Sequence, residues 1–308
     1  MTIRKLRTSI RYTGEQFSNV NGLEVCWSSF GSAKNPAIVL IAGMGTQMTG
    51  WDDEFCFQLA ERGFRVIRYD NRDIGRSSRM DHLGLPDVTR AMTRAWLRLP
   101  VSAPYLLDDM ALDLVGLMDS LDIRSAHLVG ASMGGTIAQM MAIRHPERVR
   151  SMTSIMSTTG DPDLPQPASS IVAAVMRPAP ATLDGYTDHY VENWKKLRAG
   201  MFPEEEARDR TRAALNHARG LNPAGSARHM LAILASGSRR TALRSVSVPT
   251  LVIHGDIDPL VPLAAGIDTA NNIRDAELLV LKDMGHAMPM PLWKPIIDGI
   301  ESISSKGR

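Results

Sequence analysis

Residues 126–136 read Ala-His-Leu-Val-Gly-Ala-Ser-Met-Gly-Gly-Thr and contain the pattern Gly-x-Ser-x-Gly centred on Ser132. The residues before the pattern are typical of a buried strand, and those after it are typical of a helix. Glycines at 130 and 134 allow a tight turn between the two, because side chains there would collide with neighbouring backbone. The stretch therefore predicts a strand, a strained turn that lifts the Ser132 hydroxyl above a sheet, and a helix whose N-terminus favours negative charge.

Outward from this unit, short runs rich in Val, Ile and Leu alternate with segments of helical period. This alternation predicts an α/β fold with a mostly parallel eight-stranded sheet and helices on both faces. Asn21-Gly22 suits a tight turn, so the first two strands should form a hairpin. The predicted strands are 16–20, 23–29, 37–42, 64–69, 126–130, 151–156, 248–254 and 276–281. The predicted core helices are 51–62, 105–121, 133–144 and 292–304.

Two stretches interrupt the alternation of strands and helices. Residues 77–104 form a long connection in which 88–99 has the pattern of an amphipathic helix. Residues 160–237, called here the cap segment, are rich in Ala, Arg and Met. Its predicted helices are 183–199, 203–218 and 226–235. We therefore expect an α/β core made of 1–159 and 238–308, with a helical cap inserted at 160–237.

A serine nucleophile needs a base and an acid that orients it. His286 lies on a glycine-flanked loop after the last predicted strand, where it would face Ser132 across the carboxyl edge of the sheet. In the order Ser–acid–His, the candidate acids are Asp258, which precedes a proline at a loop tip, and Asp256, which better suits a turn-shaping role. Asp258 is favoured. We interpret His254, at the end of the preceding strand, as structural.

The remaining six of the eight histidines are set aside because they lie in the two interrupting stretches, inside a strand or at a helix end: His82, His127, His145, His189, His217 and His229. Acyl transfer also requires two hydrogen-bond donors for the developing oxyanion. The N–H of Met133, directly after the nucleophile, is one. The glycine-flanked Met44, after the strand 37–42, is predicted to supply the second from its own N–H, although a flexible glycine turn without a catalytic task is the alternative.

Composition narrows the classes of function. A formal net charge of +2 argues against nucleic acid or another polyanion as partner. The only two cysteines, Cys26 and Cys56, fit neither a disulfide framework nor a zinc site. We expect no metal or organic cofactor, no membrane span and no signal peptide, so a cytoplasmic location is the default. A homodimer is left open. The basic residues at 4, 5, 7 and 11 are interpreted as a solvated, partly disordered terminus.

Together these segments resemble the α/β-hydrolase family, since the glycine loop, residues 70–77, the nucleophile turn, the Gly-x-x-Asp-Pro segment and the Gly-His pair follow in its order. Within it, residues 50–55, 66–70, 248–253 and 284–287 resemble aclacinomycin methylesterase-like carboxylic-ester hydrolases. The resemblance implies an ester hydrolase with the triad Ser132, Asp258 and His286. Two positions depart from the family pattern: Ala42 stands where histidine is usual, and Asp73 where glycine is usual. Neither should abolish an oxyanion hole made of backbone.

The leading hypothesis is a carboxylesterase that acts on small to medium apolar esters. Methionines and tryptophans near the predicted catalytic loops suggest an adaptable apolar pocket: Met44, Met48, Met133, Met284, Met288, Met290, Trp51 and Trp293. The same triad could serve a lactonase, a C–C bond hydrolase or a cofactor-free perhydrolase. Serine at 132 argues against the dehalogenase and epoxide-hydrolase variants, which use a carboxylate there. The hypothesis from another class is a non-catalytic ligand sensor on the same fold.

Overall fold

The computed structural model describes residues 10–307, so the basic positions 4, 5 and 7 lie outside the described residues. Eight strands form one sheet in the order β1-β2-β4-β3-β5-β6-β7-β8. Strand β2 runs antiparallel to β1 and β4, and the other neighbours are parallel. The strands are β1 (Gln16–Val20), β2 (Leu23–Phe30), β3 (Ala37–Ile41), β4 (Arg65–Tyr69), β5 (Ala126–Ala131), β6 (Val149–Ile155), β7 (Thr250–Gly255) and β8 (Glu277–Leu281). The predicted mostly parallel eight-stranded sheet is confirmed.

The predicted hairpin joins β1 to β2. Val20 faces Leu23 across the turn, and Asn21 and Gly22 have φ values of 51° and 79°. Positive φ at both central residues is the mark of a type I′ turn, whose twist matches that of its strands and which favours Asn-Gly.

Helices occupy both faces of the sheet. They are α1 (Asp53–Glu61), α2 (Val88–Trp96), α3 (Leu107–Ser120), α4 (Met133–Arg144), α5 (Ser169–Met176), α6 (Leu183–Leu197), α7 (Glu206–Arg219), α8 (Pro223–Ser236), α9 (Arg240–Leu243), α10 (Leu263–Asn271) and α11 (Trp293–Lys306). Short 3₁₀ turns lie at Met48–Gly50, Asp81–Leu83, Pro146–Arg148, Pro203–Glu205 and Met290–Leu292. No helix within residues 10–307 combines the length and apolar character that crossing a membrane requires.

Two hydrophobic clusters lie on opposite faces of the sheet. On one face, Val39 and Ile41 pack with residues of α3 and α4. On the other, the alternate residues Ile38 and Leu40 pack with α1 and α11. Because successive side chains of a strand point to opposite faces, β3 supplies both clusters and is buried along its whole length.

Helices α5, α9 and α10 are absent from the sequence-based prediction. Helix α5 follows a stretch interrupted by prolines, and α9 has only four residues. Helix α10 contains Gly266, which lowers helix propensity. A Cβ at Gly266 would lie 2.4 Å from Nδ1 of His254, so close packing against β7 requires the residue that weakens the helical pattern.

The cap segment supplies helices α5 to α8 between β6 and β7, and it is fixed to the core by buried ion pairs. Arg228 of α8 makes two hydrogen bonds of 2.7 Å to the two carboxylate oxygens of Asp73. Tyr105 donates to the same carboxylate at 2.8 Å. Asp73 has a φ of 71°, a conformation that glycine adopts most readily. The departure from the family pattern at 73 therefore keeps a glycine-like backbone and adds an anchor for the cap segment.

Candidate active site

The four predicted catalytic segments meet at the carboxyl edge of the sheet. Ser132 follows β5, Asp258 follows β7, His286 follows β8, and the loop with Met44 follows β3. These strands are neighbours or near neighbours in the sheet, so their ends lie side by side. This is the edge at which ligands bind in open α/β sheets.

Ser132 occupies a strained turn between β5 and α4. Its φ is 54°, which is uncommon for a residue with a side chain. A Cβ at Gly134 would lie 2.0 Å from the carbonyl oxygen of Ile41, so only glycine allows the helix to start so close to β3. The turn is held by hydrogen bonds from the Ser132 N–H to the Ile155 carbonyl and from the Ser157 hydroxyl to the Ser132 carbonyl.

The structure brings Ser132, His286 and Asp258 into one hydrogen-bonded series. His286 Nε2 lies 3.0 Å from Ser132 Oγ, and His286 Nδ1 lies 2.8 Å from Asp258 Oδ2. The other Asp258 oxygen accepts from the backbone N–H groups of Leu260 and Val261 at 2.9 and 2.8 Å. Burial acts to raise the pKa of Asp258, but His286 and the Val261 N–H outweigh it and hold that pKa below its ordinary value. The acid therefore stays ionised beside the imidazole.

The alternatives Asp256 and His254 occupy different places. Asp256 is exposed to solvent, whereas Asp258 is buried against His286. His254 is buried, and its Nε2 lies 2.8 Å from the carbonyl of Val261 and 3.7 Å from Asp258 Oδ2. Burial lowers the pKa of His254, which favours its neutral form. His254 thus contacts the loop that carries Asp258, the predicted acid.

Two backbone N–H groups at or beside the nucleophile turn have no acceptor among the described residues. Within residues 10–307, no group accepts a hydrogen bond from the N–H of Met44 or Met133. The loop with Met44 lies against the turn, since a Cβ at Gly43 would be 3.4 Å from the Ser132 Cβ. Ala42, where the family pattern has histidine, is buried, and its carbonyl accepts from the Asn71 side chain.

A pocket opens over Ser132 and His286, and its walls are mostly apolar. Of the eight methionines and tryptophans predicted to surround it, Met44, Met288, Trp51 and Trp293 line it. Met48, Met133 and Met284 are instead buried in the core or beneath the turn, and Met290 is exposed. Further apolar residues come from the core and the cap segment: Phe55, Met156, Val175, Trp194, Leu197 and Leu260. The pocket is therefore built jointly by core and cap.

One corner of the pocket is charged, a feature that sequence analysis missed. Arg198 and Arg212 of the cap segment line it together with Glu205 and Asp52. Arg198 Nη1 contacts Asp209 at 2.6 Å, while no described residue accepts a hydrogen bond from its Nε. No motif marks these residues, because their neighbourhood arises only when α6 and α7 fold over the core.

Two further cap contacts support the predicted catalytic loops, and sequence analysis missed both. The N–H of His286 donates to the carbonyl of Leu197, at the end of α6, at 2.7 Å. His229 of α8, set aside because it lies in the cap segment, contacts the loop with Met44 through the Gly45 N–H at 3.3 Å. Residues 10–307 hold no group of three or more His, Cys, Asp or Glu side chains arranged to bind a metal ion.

Comparison with known families agrees with this architecture. The family model described as alpha/beta hydrolase fold matches residues 36–291, which include every strand from β3 to β8. The chain belongs to the α/β-hydrolase family. The resemblance stated from sequence motifs is therefore confirmed.

Relatives within this family carry several activities. The chain is 31% identical to rhodomycin D methylesterase DnrP of Streptomyces peucetius, over 89% of this chain and 93% of the relative. It is 29% identical to 2-hydroxymuconate semialdehyde hydrolase of Pseudomonas sp. strain CF600, over 81% of this chain and 80% of the relative. The structure of a 2-hydroxy-6-oxo-6-phenylhexa-2,4-dienoate hydrolase from Rhodococcus sp. strain RHA1 superposes with a TM-score of 0.73 at 20% identity, covering 96% and 99% of the two chains. This α/β hydrolase is thus similar to methylesterases and shares its fold with a dienoate hydrolase.

Proposed function

We propose that this α/β hydrolase is a carboxylic-ester hydrolase that acts through Ser132, His286 and Asp258. The observation that carries the proposal is the pair of hydrogen bonds, 3.0 Å from Ser132 to His286 and 2.8 Å from His286 to Asp258, at the floor of an apolar pocket. Similarity to a methylesterase over most of the chain favours esters among the bonds that such a triad can hydrolyse.

The reaction has two halves. Ser132 Oγ attacks the ester carbonyl carbon while His286 Nε2 takes its proton, and the N–H groups of Met44 and Met133 stabilise the negative oxygen. His286 then returns the proton to the leaving alcohol, and the Ser132 acyl-enzyme remains. In the second half, water gives a proton to His286 and attacks the acyl carbon. The bond from that carbon to Ser132 Oγ then breaks, His286 returns the proton to Ser132 Oγ, and the acid leaves. Asp258 keeps the Nδ1 proton of His286 in place, so that Nε2 can act as base.

The pocket supports small to medium apolar esters. Its walls are aromatic and aliphatic, and the cap segment 160–237 contributes Val175, Trp194 and Leu197 to them. We propose that the cap determines which acyl or alcohol part is accepted. Both arginines of the polar corner are paired with carboxylates, Arg198 with Asp209 at 2.6 Å and Arg212 with Asp209 and Asp52 at 3.4 and 3.7 Å, which argues against strongly charged substrates.

The test is hydrolysis of p-nitrophenyl acetate and butyrate by the wild type and by Ser132→Ala. We expect turnover by the wild type, its loss in the variant, and labelling of Ser132 alone by a fluorophosphonate probe. A panel of methyl esters, enol-lactones and 2-hydroxy-6-oxo dienoates then assigns the bond that is cleaved. Absence of both turnover and labelling in the wild type would reject the proposal in favour of a binding protein, and a preference for dienoates would reject the ester.

A further inference from the structure

His229 of α8 joins the cap segment to two core loops. Its Nε2 lies 2.8 Å from the carbonyl of Arg72, and its Nδ1 lies 3.3 Å from the N–H of Gly45. The first partner is an acceptor and the second a donor, so the ring carries its proton on Nε2 and offers a lone pair at Nδ1. The side chain is fully buried, so water does not replace either bond.

The bond to Gly45 acts one residue from a predicted oxyanion donor. Gly45 has a φ of 65°, and a Cβ there would lie 2.6 Å from Oγ of Ser226, one turn before His229 on α8. The same face of α8 therefore packs on the loop and also holds its amide. The Gly45 amide belongs to the peptide plane that follows Met44, so holding it restricts the backbone torsions of Met44 and thereby the directions in which the Met44 N–H can point.

We propose that His229 is a positioning residue of the oxyanion hole, holding the loop Gly43–Thr46 so that the Met44 N–H meets the developing oxyanion. This inference rests on the proposed esterase function. His229 is not among the residues that line the pocket, so it acts through the loop and not on the substrate. The loop with Met44 is thus held by α8 of the cap segment as well as by β3, the strand that it follows.

Two substitutions separate the two bonds of the imidazole. His229→Asn places an amide oxygen near the position of Nδ1 and keeps an acceptor for Gly45. His229→Gln places an amide nitrogen near the position of Nε2 and keeps a donor for Arg72. Misplacing or losing one oxyanion donor lowers kcat by roughly 10- to 100-fold or more. We therefore expect His229→Gln to lose about 10- to 100-fold in kcat for p-nitrophenyl butyrate with little change in KM, and His229→Asn to lose clearly less.

A trifluoromethyl ketone inhibitor gives a second readout, since its adduct with Ser132 carries an oxyanion. Its affinity should fall in parallel with kcat/KM across the two variants, while binding of an uncleaved ester to Ser132→Ala should not depend on the residue at 229. Equal losses in His229→Asn and His229→Gln, or losses that follow thermal stability alone, would overturn the inference. His82→Gln, an exposed histidine outside the cap, is the matched control.

Amide hydrogen exchange tests the positioning role independently of any turnover. In His229→Gln the amides of Gly45 and Thr46, which are hydrogen-bonded in the wild type, should exchange faster than in the wild type, while the amides of α8 stay protected. Unchanged exchange in this loop would overturn the inference even if the enzyme is an esterase. Faster exchange would support it even if the wild type cleaves no ester in the panel, so the two proposals fail separately.

Discussion

Acidification should destabilise this protein through His229. Burial lowers the pKa of His229 from 6.5 to about 4, with Arg72 and Arg228 acting in the same direction and the Arg72 carbonyl and Asp73 in the opposite one. In the unfolded chain the His229 imidazole binds a proton below pH 6.5, whereas in the folded chain it does so only near pH 4. The contribution of neutral His229 to the free energy of unfolding is therefore fully present above pH 6.5 and is lost as the pH falls toward 4.

The magnitude follows from linkage between folding and protonation. At pH 5 the histidine is mostly protonated in the unfolded chain and mostly neutral in the folded one. With these two pKa values, the free energy of unfolding should fall by about 2 kcal/mol between pH 7 and pH 5. His254, also buried with a lowered pKa, adds a loss of the same sign, so the effect of His229 must be isolated by a variant.

The assay is equilibrium urea unfolding at pH 5, 6 and 7, followed by tryptophan fluorescence, for the wild type and His229→Gln. The variant is expected to be less stable at pH 7, because the bond to Gly45 is lost. Its loss between pH 7 and pH 5 should be smaller than that of the wild type by about 2 kcal/mol. Parallel pH profiles for the two proteins would refute the reasoning, and His82→Gln should follow the wild type.

Three other outcomes are expected. Asp258→Asn should lower kcat by up to about 10⁴-fold, while Asp256→Asn should stay within a few-fold, as steady-state kinetics would reveal; the reverse order would move the acid to 256. Asp73→Gly restores the family residue but should destabilise the protein by about 3–5 kcal/mol in urea unfolding, because it leaves Arg228 buried without its partner. Adding Arg228→Met should recover much of that loss, and no recovery would contradict the explanation. Arg198 lines the pocket and its Nε has no acceptor among the described residues, so we expect that Nε to donate a hydrogen bond to a polar substrate group such as an acetyl carbonyl. Arg198→Lys puts a methylene where Nε stood, so the kcat/KM ratio of methyl 4-acetylbenzoate to its apolar analogue methyl 4-isopropylbenzoate should fall about 5-fold. An unchanged ratio would show that Nε does not contact substrate.

The core was predictable from sequence because its signals are local. The Gly-x-Ser-x-Gly turn requires glycine at 134 to avoid the Ile41 carbonyl, and Asn21-Gly22 requires positive φ. Such constraints leave recognisable residues at fixed spacing. At most ends of the strands and helices, the observed bounds differ from the predicted ones by one or two residues, as expected because the ends of such elements fray.

Features of the cap were not predictable because they depend on contacts between distant segments. His229 lies 184 positions from Gly45, and Arg228 lies 155 positions from Asp73. Neither contact requires a particular residue type at neighbouring positions in the sequence. No short sequence pattern therefore predicts either contact. The charged corner around Arg198 has the same origin. Gly266 shows the converse case, in which packing against His254 requires a residue whose local propensity opposes the helix that contains it.

The hydrogen bond from the His286 N–H to the Leu197 carbonyl bears on how specificity could be redesigned. Exchanging whole caps between relatives is an attractive way to transplant substrate preference, and it assumes that the cap is a separable module. Here the carbonyl of Leu197, at the end of α6, accepts a hydrogen bond of 2.7 Å from the loop that carries His286, the proposed base. Gly285 leaves no room for a side chain between that loop and α6. A foreign cap would have to bring a carbonyl to the same point. Grafts that replace side chains and leave the α6 backbone in place should therefore preserve turnover better than whole-cap chimeras.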